Sequence, residues 1–304
     1  MSMTRELLLS LSRQAWVRRW METSPVFRKF THRFVAGETL EDELKVCARL
    51  ANAGYLSSVD HLGENVTSVE EGGAARDAYM QALDQISARG LPATISLKLT
   101  QMGLDFSEES CLENVRALAR RASAAGTRVE IDMESTAYTD RTLKIVEQVA
   151  EECGCVRAVI QAYLFRSADD IKFLNSLHIP VRLCKGAYLE PHTAAFAAKA
   201  DVDRTYLTLM KMLLDNGTYP ALATHDERIQ GEALRYARER GLPKDRFEFQ
   251  MLYGIRRDLQ KRLVDQGYRV RLYVPYGTAW YAYFMRRLAE RPANLLFLIR
   301  NIFR

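Results

Sequence analysis

Apolar and β-branched runs alternate along this chain with longer amphipathic segments. The segments, such as CLENVRALARRASAAG and RTLKIVEQVAEECG, carry apolar residues three or four positions apart, and several end in glycine, a common helix stop. Strands that alternate with helices of crossover length pair in parallel through right-handed connections. The apolar runs predict eight strands, beginning at Tyr55, Ala93, Arg128, Val156, Val181, Ala221, Phe247 and Val270.

The number of strands indicates the fold class. Eight strand–helix units in about 240 residues match an α/β fold of the closed (β/α)8 TIM-type barrel in both count and length. An open doubly wound sheet is the alternative, but no glycine-rich G-x-G-x-x-G turn follows any of the runs. We predict one structural domain, with flanking helices in residues 1–54, near 4–21 and 39–53, and a catalytic barrel over 55–304. A final helix would cover the barrel mouth.

Composition and charge exclude several other classes. The 304 residues are 48% hydrophobic and 27% charged, which is typical of a globular protein with a large core. Because 43 basic residues are interspersed with 38 acidic ones, the net charge of +5 does not indicate nucleic-acid binding, although anionic ligands would be tolerated. Five cysteines without zinc-ligand spacing indicate reduced thiols and no metal site. No apolar run reaches the ~18 residues of a membrane span, so we expect a cytoplasmic protein.

Polar residues cluster where the predicted strands end, and in a barrel these ends meet at one mouth. After strand eight, the stretch YAYFMRRLAE places four side chains on one face of a helix, namely Tyr283, Arg286, Arg287 and Glu290. The polar residues of the strand ends are Asp60, His61, Glu64, Lys98, Asp132, Glu134, Gln161, Tyr163, Arg182, Lys185, Thr224, His225, Gln250 and Tyr273.

Each of these residues also has an ordinary structural explanation. Asp132 could merely neutralise Lys98, and His225 could be a hydrogen-bonded core histidine. These explanations are less convincing for the whole set of residues, because burying many charges is costly unless they pair with one another or with a ligand. Adjacent arginines suit bidentate capture of a carboxylate or phosphate. In RLCKGAY, Arg182 and Lys185 could face a pyrophosphate or an electron-rich ring. No nucleophile-and-base pair is evident, so a bound cofactor is the natural source of the chemistry.

Eight short motifs, in this order, carry a resemblance to a known family: SLKL, EIDMES, IQAYL, VRLCKGAY, ATHD, FEFQMLYG, YVPYG and YAYFMRRLAE. From about residue 55 to its end, the chain resembles the flavin-dependent proline dehydrogenases, in particular the short monofunctional bacterial enzymes. The resemblance implies a barrel that binds FAD without a Rossmann domain and oxidises L-proline to Δ1-pyrroline-5-carboxylate. Hydride would pass from proline C5 to flavin N5, and the electrons would pass to a membrane quinone.

The resemblance also implies a role for each matching position. Asp132 would orient Lys98, and Arg182 would lie near flavin N5 and stabilise the reduced ring. The proline carboxylate and ring would contact Lys98, Tyr273, Tyr283, Arg286 and Arg287. The other cofactor contacts would come from Met133, Gln161, Lys185, Gly186, Ala187, Thr224, His225, Gln250 and Glu290.

Two positions depart from the family pattern, which more often has valine or isoleucine at Cys184 and asparagine at Asp226. Two hypotheses go beyond that pattern. An ion pair between Glu64 and Arg287 could close the mouth over bound proline. The terminal segment RPANLLFLIRNIFR could dock on the inner face of the membrane near the quinone, or else pack on the barrel.

Other functions remain open at this level. Lys98 or Lys185 could be the Schiff-base nucleophile of an aldolase barrel, with the arginine pair holding a substrate phosphate. A non-enzymatic module that binds an amino acid or another anion is a third reading. The family resemblance also implies a pyrroline-5-carboxylate dehydrogenase as a candidate partner for product transfer.

Overall fold

The structure is a computed structural model that describes residues 33–63, 66–281, 283 and 285. In this part of the chain, eight parallel strands follow one another in chain order, and the eighth pairs with the first to close a barrel. The eight predicted strands and the predicted (β/α)8 fold are confirmed. The predicted helix at 39–53 is confirmed as well. The predicted helix at 4–21 and most of the final helix lie outside the described residues.

Strands and helices alternate throughout the described residues. The strands are β1 (Leu56–His61), β2 (Ala93–Lys98), β3 (Val129–Asp132), β4 (Val156–Gln161), β5 (Val181–Cys184), β6 (Ala221–Ala223), β7 (Glu248–Leu252) and β8 (Arg269–Tyr276). The helices are α1 (Leu40–Asn52), α2 (Val69–Ala88), α3 (Glu108–Ala124), α4 (Thr136–Cys153), α5 (Ser167–Ser176), α6 (Lys199–Asn216), α7 (Glu227–Glu239) and α8 (Arg257–Asp265). None of the helices described is long and apolar enough to cross a membrane.

Local signals fix where the helices begin. Thr39 starts α1 with a capping box, in which its hydroxyl accepts from the Asp42 N–H at 3.2 Å and the Asp42 carboxylate accepts from the Thr39 N–H at 3.1 Å. Helix α4 has no such cap from its own Ser135. Instead, the loop after β5 supplies Glu190, whose carboxylate accepts from the Thr136 N–H at 2.9 Å. This contact ties the β5 loop to the start of α4, beside the barrel mouth.

The interior of the barrel is charged, whereas barrels of this type are usually filled with branched apolar side chains. Side chains alternate between the two faces of a strand, so the strand residues that face away from the helices point into the barrel. Arg157 contacts Glu248 at 2.6 Å and Glu130 at 3.2 Å, and Arg271 contacts Glu248 at 2.9 Å. We call Glu130, Arg157, Glu248 and Arg271 the interior ion network.

The interior ion network is balanced and buried. Its two guanidinium groups face two carboxylates, and neither carboxylate side chain is exposed to solvent. Burial would raise the pKa of Glu248, but the charges of Arg271 and Arg157 outweigh burial and hold that pKa well below its usual value. Burial is likewise outweighed at Glu130, whose pKa is lowered by Arg157, Arg182 and Arg271. Both acids therefore remain charged in the folded protein.

A further buried acid, Glu43, lies on α1 outside the barrel. The thiol of Cys47 donates to its carboxylate at 3.3 Å. Burial is the largest influence on the pKa of Glu43 and raises it well above its usual value; the Cys47 hydrogen bond opposes this, and the charge of Asp60 adds to it. The folded protein therefore retains a proton that the unfolded chain releases above its ordinary pKa of about 4.3. Stability falls as pH rises from that value towards the folded pKa, by about 1.4 kcal/mol per pH unit.

We therefore expect Glu43→Gln to stabilise the protein more at pH 8 than at pH 5. The difference in the gain should be on the order of 1–3 kcal/mol, because glutamine needs no proton to stay neutral. Urea unfolding at the two pH values measures it. Glu41→Gln is the matched control, since Glu41 lies on the same helix but pairs with Arg89 at the surface, and it should give no such gain. An equal effect of Glu43→Gln at both pH values would contradict the prediction.

Candidate active site

Asp132, at the end of β3, connects polar side chains from three other strands. Its carboxylate accepts hydrogen bonds from the Ser96 hydroxyl at 2.7 Å and the Tyr273 hydroxyl at 3.0 Å. It also forms an ion pair with Arg182 and lies 4.0 Å from Lys98 Nζ. Lys98 and Asp132 are register partners in the β2–β3 pair, which explains why they lie side by side. We call Ser96, Lys98, Asp132, Arg182 and Tyr273 the Asp132 cluster.

Arg182 links this cluster to the interior ion network. Its guanidinium contacts Glu130 at 3.1 Å and the side-chain oxygen of Gln250 at 3.3 Å, and it lies 5.5 Å from the centre of the Tyr273 ring. Burial would lower the pKa of Arg182, but the charges of Asp132 and Glu130 outweigh it and raise that pKa above its usual value. Arg182 is thus a permanently charged group, held from several sides at the end of the barrel interior.

Tyr273 and Lys98 give the cluster its other polar groups. Burial, and after it the charges of Asp132 and Asp60, raise the pKa of Tyr273 well above its usual value. The phenol therefore stays neutral and donates its proton to Asp132 in a hydrogen bond. The Lys98 side chain is 14% exposed, so its ammonium is largely withdrawn from bulk water. Two cations held by one carboxylate beside an aromatic ring are suited to binding a small anionic ligand.

Lys185 has partners of its own outside the Asp132 cluster. Its Nζ lies 2.5 Å from Asp203 on α6 and 3.0 Å from Asp226, the residue that caps α7. Lys199 pairs with Asp203 as well. Arg182 points into the barrel, whereas Lys185 follows the last residue of β5 and turns outward to the loops. Arg182 and Lys185 thus have different partners in the structure.

Position 186 requires glycine because a neighbouring aromatic ring leaves no room for a side chain. Its φ of +110° lies in the region that favours glycine, and a Cβ at this position would lie 2.2 Å from Cδ1 of Tyr163. The backbone is therefore closely approached at this position. The partner in that approach is the side chain of Tyr163, from the end of β4.

The other predicted cofactor residues have these positions. Gln161 donates to the Glu134 carbonyl at 2.8 Å, the Thr224 hydroxyl accepts from the Asp226 N–H at 3.1 Å, and the His225 Nε2 accepts from the Leu252 N–H at 2.9 Å. Gln250 lies in the barrel interior, Met133 and Tyr283 are buried, and Ala187 is exposed. Four predicted site residues lie outside the described residues, namely Glu64, Arg286, Arg287 and Glu290.

Sequence reasoning missed several residues that support the site. Glu130, Ser96 and Asp203 hold Arg182, Asp132 and Lys185, respectively. The sequence does contain a pattern that could have pointed to Glu130. In VEID and FEFQ, a carboxylate interrupts an otherwise apolar strand two residues before another polar side chain, which places both on the same face.

Comparison with known proteins gives the family. The proline dehydrogenase family profile matches residues 43–300. Proline dehydrogenase 1 of Bacillus subtilis subsp. natto is 44% identical over 270 residues, and proline dehydrogenase of Deinococcus radiodurans is 41% identical over 275. Each alignment covers 89% of both chains. Proline dehydrogenase 2 of Bacillus subtilis strain 168 is 38% identical over 98% of both chains.

A solved structure agrees with these relatives. The crystal structure of proline utilization A (PutA) from Bdellovibrio bacteriovorus, inactivated by N-propargylglycine, superposes with a TM-score of 0.83 at 27% identity. The match covers 95% of this chain and 36% of that longer one. The resemblance seen in the sequence motifs is therefore confirmed. This chain belongs to the proline dehydrogenase family, whose members are oxidoreductases of proline catabolism.

Proposed function

We propose that this enzyme oxidises L-proline to Δ1-pyrroline-5-carboxylate with FAD as its cofactor and a membrane quinone as the electron acceptor. Family membership supports the substrate. The main structural support for the proposed reaction is the Asp132 cluster, in which two cations and a neutral phenol contact one carboxylate at the barrel mouth. A permanently charged guanidinium in a buried position stabilises negative charge that develops on a neighbouring group.

The donor set fits a flavin nucleotide. Arg182 offers a fixed positive charge to a ring that becomes anionic on reduction. Lys185, three residues further along, would hold a phosphate, and Thr224 and His225 follow the adjacent strand β6. Gln161, Gly186, Ala187 and Gln250 complete the proposed contacts, and Met133 and Glu290 are further candidates.

In the proposed mechanism, FAD held by the residues named above would supply the hydride-accepting chemistry for proline C5 and the route of the electrons to the quinone. Lys98 binds the substrate carboxylate, together with Arg286 and Arg287. Asp132 pairs with the Lys98 ammonium and fixes its direction. Tyr273 packs against the proline ring, and Tyr283 is proposed to form a second wall that excludes water. Arg182 balances the negative charge that accumulates beside the substrate.

The contacts of Lys185 affect how FAD would bind. A phosphate placed at this ammonium must share it with Asp203 and Asp226 or displace them. Burial would raise the pKa of each acid, but hydrogen bonds from the lysines outweigh it, and both pKa values are lowered. Both carboxylates therefore stay charged at neutral pH, so cofactor binding at Lys185 exchanges one anion for another.

The remaining hypotheses from the sequence fall into two groups, those that family membership opposes and those that stay part of the proposal. Family membership weighs against the Schiff-base aldolase and the non-catalytic binding module. Product transfer to a pyrroline-5-carboxylate dehydrogenase remains part of the proposal. So do the Glu64–Arg287 closure and the peripheral membrane contact.

An absorption spectrum tests the proposed function. Protein loaded with FAD should show the band of oxidised flavin at about 450 nm, and anaerobic L-proline should bleach it. Pyrrolidine, which lacks the carboxylate, should leave the band unchanged, because Lys98 and the arginines would have no anion to bind. If the band persists with L-proline, the substrate is wrong, and if no FAD binds, the cofactor is wrong.

A further inference from the structure

Ser96, on β2, belongs to the Asp132 cluster, but the proposed mechanism gives its hydroxyl no part. The residue is fully buried inside the barrel. Its hydroxyl donates to Asp132 Oδ1 at 2.7 Å, and the hydroxyl oxygen lies 3.4 Å from Nη1 and 3.3 Å from Nη2 of Arg182, from which it accepts. Ser96 therefore contacts both members of the ion pair between Arg182 and Asp132.

The Ser96 hydroxyl has one proton to donate, and two oxygens lie near it. Asp132 Oδ1 is 2.7 Å away, whereas the backbone carbonyl oxygen of Glu130 is 3.5 Å away, beyond the usual range of an O–H···O hydrogen bond. A carboxylate in an ion pair is also the stronger acceptor of the two. The proton is therefore donated to Asp132, which leaves the hydroxyl oxygen to accept from Arg182.

The backbone of Ser96 is held from three directions. In the sheet, its register partners are Asp60 on β1 and Glu130 on β3. From outside the barrel, the hydroxyl of Tyr79 on α2 donates to the Ser96 carbonyl oxygen at 2.7 Å, and Tyr79 is itself fully buried. A serine side chain has one torsion angle before its oxygen, so a fixed backbone confines the hydroxyl to the staggered rotamers. The position of this hydroxyl is thus well determined.

The two oxygens of the Asp132 carboxylate have different partners. Oδ1 contacts the Ser96 hydroxyl and Arg182. Oδ2 accepts from the Tyr273 hydroxyl at 3.0 Å and lies 4.0 Å from Lys98 Nζ. Under the proposed function, Lys98 and Tyr273 contact proline, whereas Arg182 faces the flavin. One oxygen of the carboxylate thus serves the substrate side, and the other serves the cofactor side.

A carboxylate beside an arginine often has a different arrangement. Because the donors of a guanidinium group are forked, both oxygens of a carboxylate commonly bind one guanidinium. The Ser96 hydroxyl opposes this arrangement, since it occupies a lone pair of Oδ1 and also accepts from the Arg182 donors. Without this hydroxyl, rotation about the Cβ–Cγ bond of Asp132 would bring Oδ2 towards Arg182 and away from Tyr273 and Lys98.

We propose that Ser96 is a positioning residue for the oxidation of proline, which keeps the Asp132 carboxylate shared between Arg182 on one side and Lys98 and Tyr273 on the other. Its effect on turnover rests on the proposed function, in which Lys98 and Tyr273 bind the substrate. Ser96 acts through Asp132. The orientation of that carboxylate is a property of the protein alone, so it can be tested separately from the reaction.

Crystal structures of the full-length parent and of Ser96→Ala give the first test. In the variant, both oxygens of Asp132 should contact the Arg182 guanidinium, and Oδ2 should lie beyond about 3.5 Å from the Tyr273 hydroxyl. In the parent, the oxygens should stay divided. An Asp132 carboxylate with the same orientation in both proteins would overturn the proposal, whatever the substrate of the enzyme.

Turnover by the FAD-loaded protein gives the second test. Ser96→Ala should lower kcat/KM for L-proline by about 10- to 100-fold, because catalytic groups misplaced by about 1 Å can lose about 100-fold in rate. In the Asp132→Asn background, the same substitution should change kcat/KM by less than about threefold, since the residue through which Ser96 acts has already lost its charge. A purely structural contribution of Ser96 would be the same in both backgrounds.

Ser58→Ala is the matched control. Ser58 is also fully buried, and as the register partner of Tyr273 it faces the same barrel interior. Among the residues that the structure describes, its hydroxyl oxygen has no hydrogen-bond partner. Ser58→Ala removes the same atom as Ser96→Ala and should keep both the orientation of Asp132 and the kcat/KM of the parent.

Other outcomes would also contradict the positioning role. An equal loss of kcat/KM in Ser58→Ala, or a full further loss in the Asp132→Asn background, would show that Ser96 does not act through Asp132. If Ser96→Ala does not fold, Ser96→Cys serves for both tests, because a thiol fills the same site with a weaker donor. If the parent neither binds FAD nor oxidises L-proline, the proposed function is wrong, and the crystal structures still decide how Asp132 is oriented.

Discussion

Asp132→Asn is expected to lower kcat/KM for L-proline by about 100- to 1000-fold, the range seen when one preorganised electrostatic contact is removed from an active site. Asparagine has nearly the shape of aspartate but no charge. It would leave Lys98 and Arg182 without the carboxylate between them and would turn an amide N–H₂ towards one of the two cations. Steady-state turnover and anaerobic flavin reduction by L-proline measure the effect.

Asp140→Asn is the control for this substitution. Asp140 also pairs with an arginine, Arg166, but its side chain is 83% exposed, and the variant should retain the kcat/KM of the parent. Circular dichroism and FAD content should show that the Asp132 variant is folded and loaded. A folded and loaded Asp132→Asn protein with kcat/KM within about threefold of the parent would remove Asp132 from the catalytic machinery.

Glu130→Gln is expected to lower the free energy of unfolding by about 3–5 kcal/mol, the usual cost of removing one partner from a buried ion pair. The Glu130 carboxylate contacts both Arg157 and Arg182, and it accepts from the Gln250 amide at 3.0 Å. Glutamine supplies one acceptor oxygen and no charge, so two buried guanidinium groups would lose a counterion. Urea unfolding at neutral pH measures the loss.

The effect of Glu130→Gln should depend on pH in a defined direction. The pKa of Glu130 is lower in the folded protein than in the unfolded chain. Its stabilising contribution is therefore complete above the unfolded pKa of about 4.3 and is lost as pH falls through the folded value. The parent and Glu130→Gln should thus converge in stability under acid conditions.

Glu113→Gln provides the comparison for a surface acid. Glu113 pairs with Arg116 at 2.7 Å with a side chain that is 60% exposed, and its loss should change stability by less than about 1 kcal/mol. If Glu130→Gln were as mild as this surface change, the interior ion network would contribute little to folding.

The fold could be predicted from the sequence because its signals are local. Each strand is a short apolar run, and each helix shows its period within a few turns. The pairing of Lys98 with Asp132 could also be anticipated, since the ends of β2 and β3 are neighbours in any parallel barrel with this strand order. Family motifs added proposed roles for residues that patterns alone could not distinguish.

The remaining features depend on contacts across the closed barrel. Arg157 on β4 reaches Glu248 on β7, a distance of 91 residues along the chain, and no local pattern indicates that they meet. The direction of the Lys185 side chain could not be predicted from the sequence either, because it depends on where β5 ends and on the position of Asp203 in α6. A cleft lined by Arg33, Phe34 and residues 254–258 brings together segments more than 200 residues apart in the chain, so sequence reasoning gave no sign of it.

The arrangement of charges also limits how this barrel could be divided. Both carboxylates that contact Arg182, on β5, come from β3, in the other half of the ring. A separate fragment that contains β5–β8 would bury Arg182 without the carboxylates of Glu130 and Asp132. In a fragment that contains β1–β4, Glu130 would keep Arg157 but lose its contact with Arg271 of the same network. Each half-barrel alone would therefore contain buried charges that lack some of their ion-pair partners. Two fragments produced separately should become stable only on joining, whereas a circular permutation that keeps the ring whole should preserve every pair.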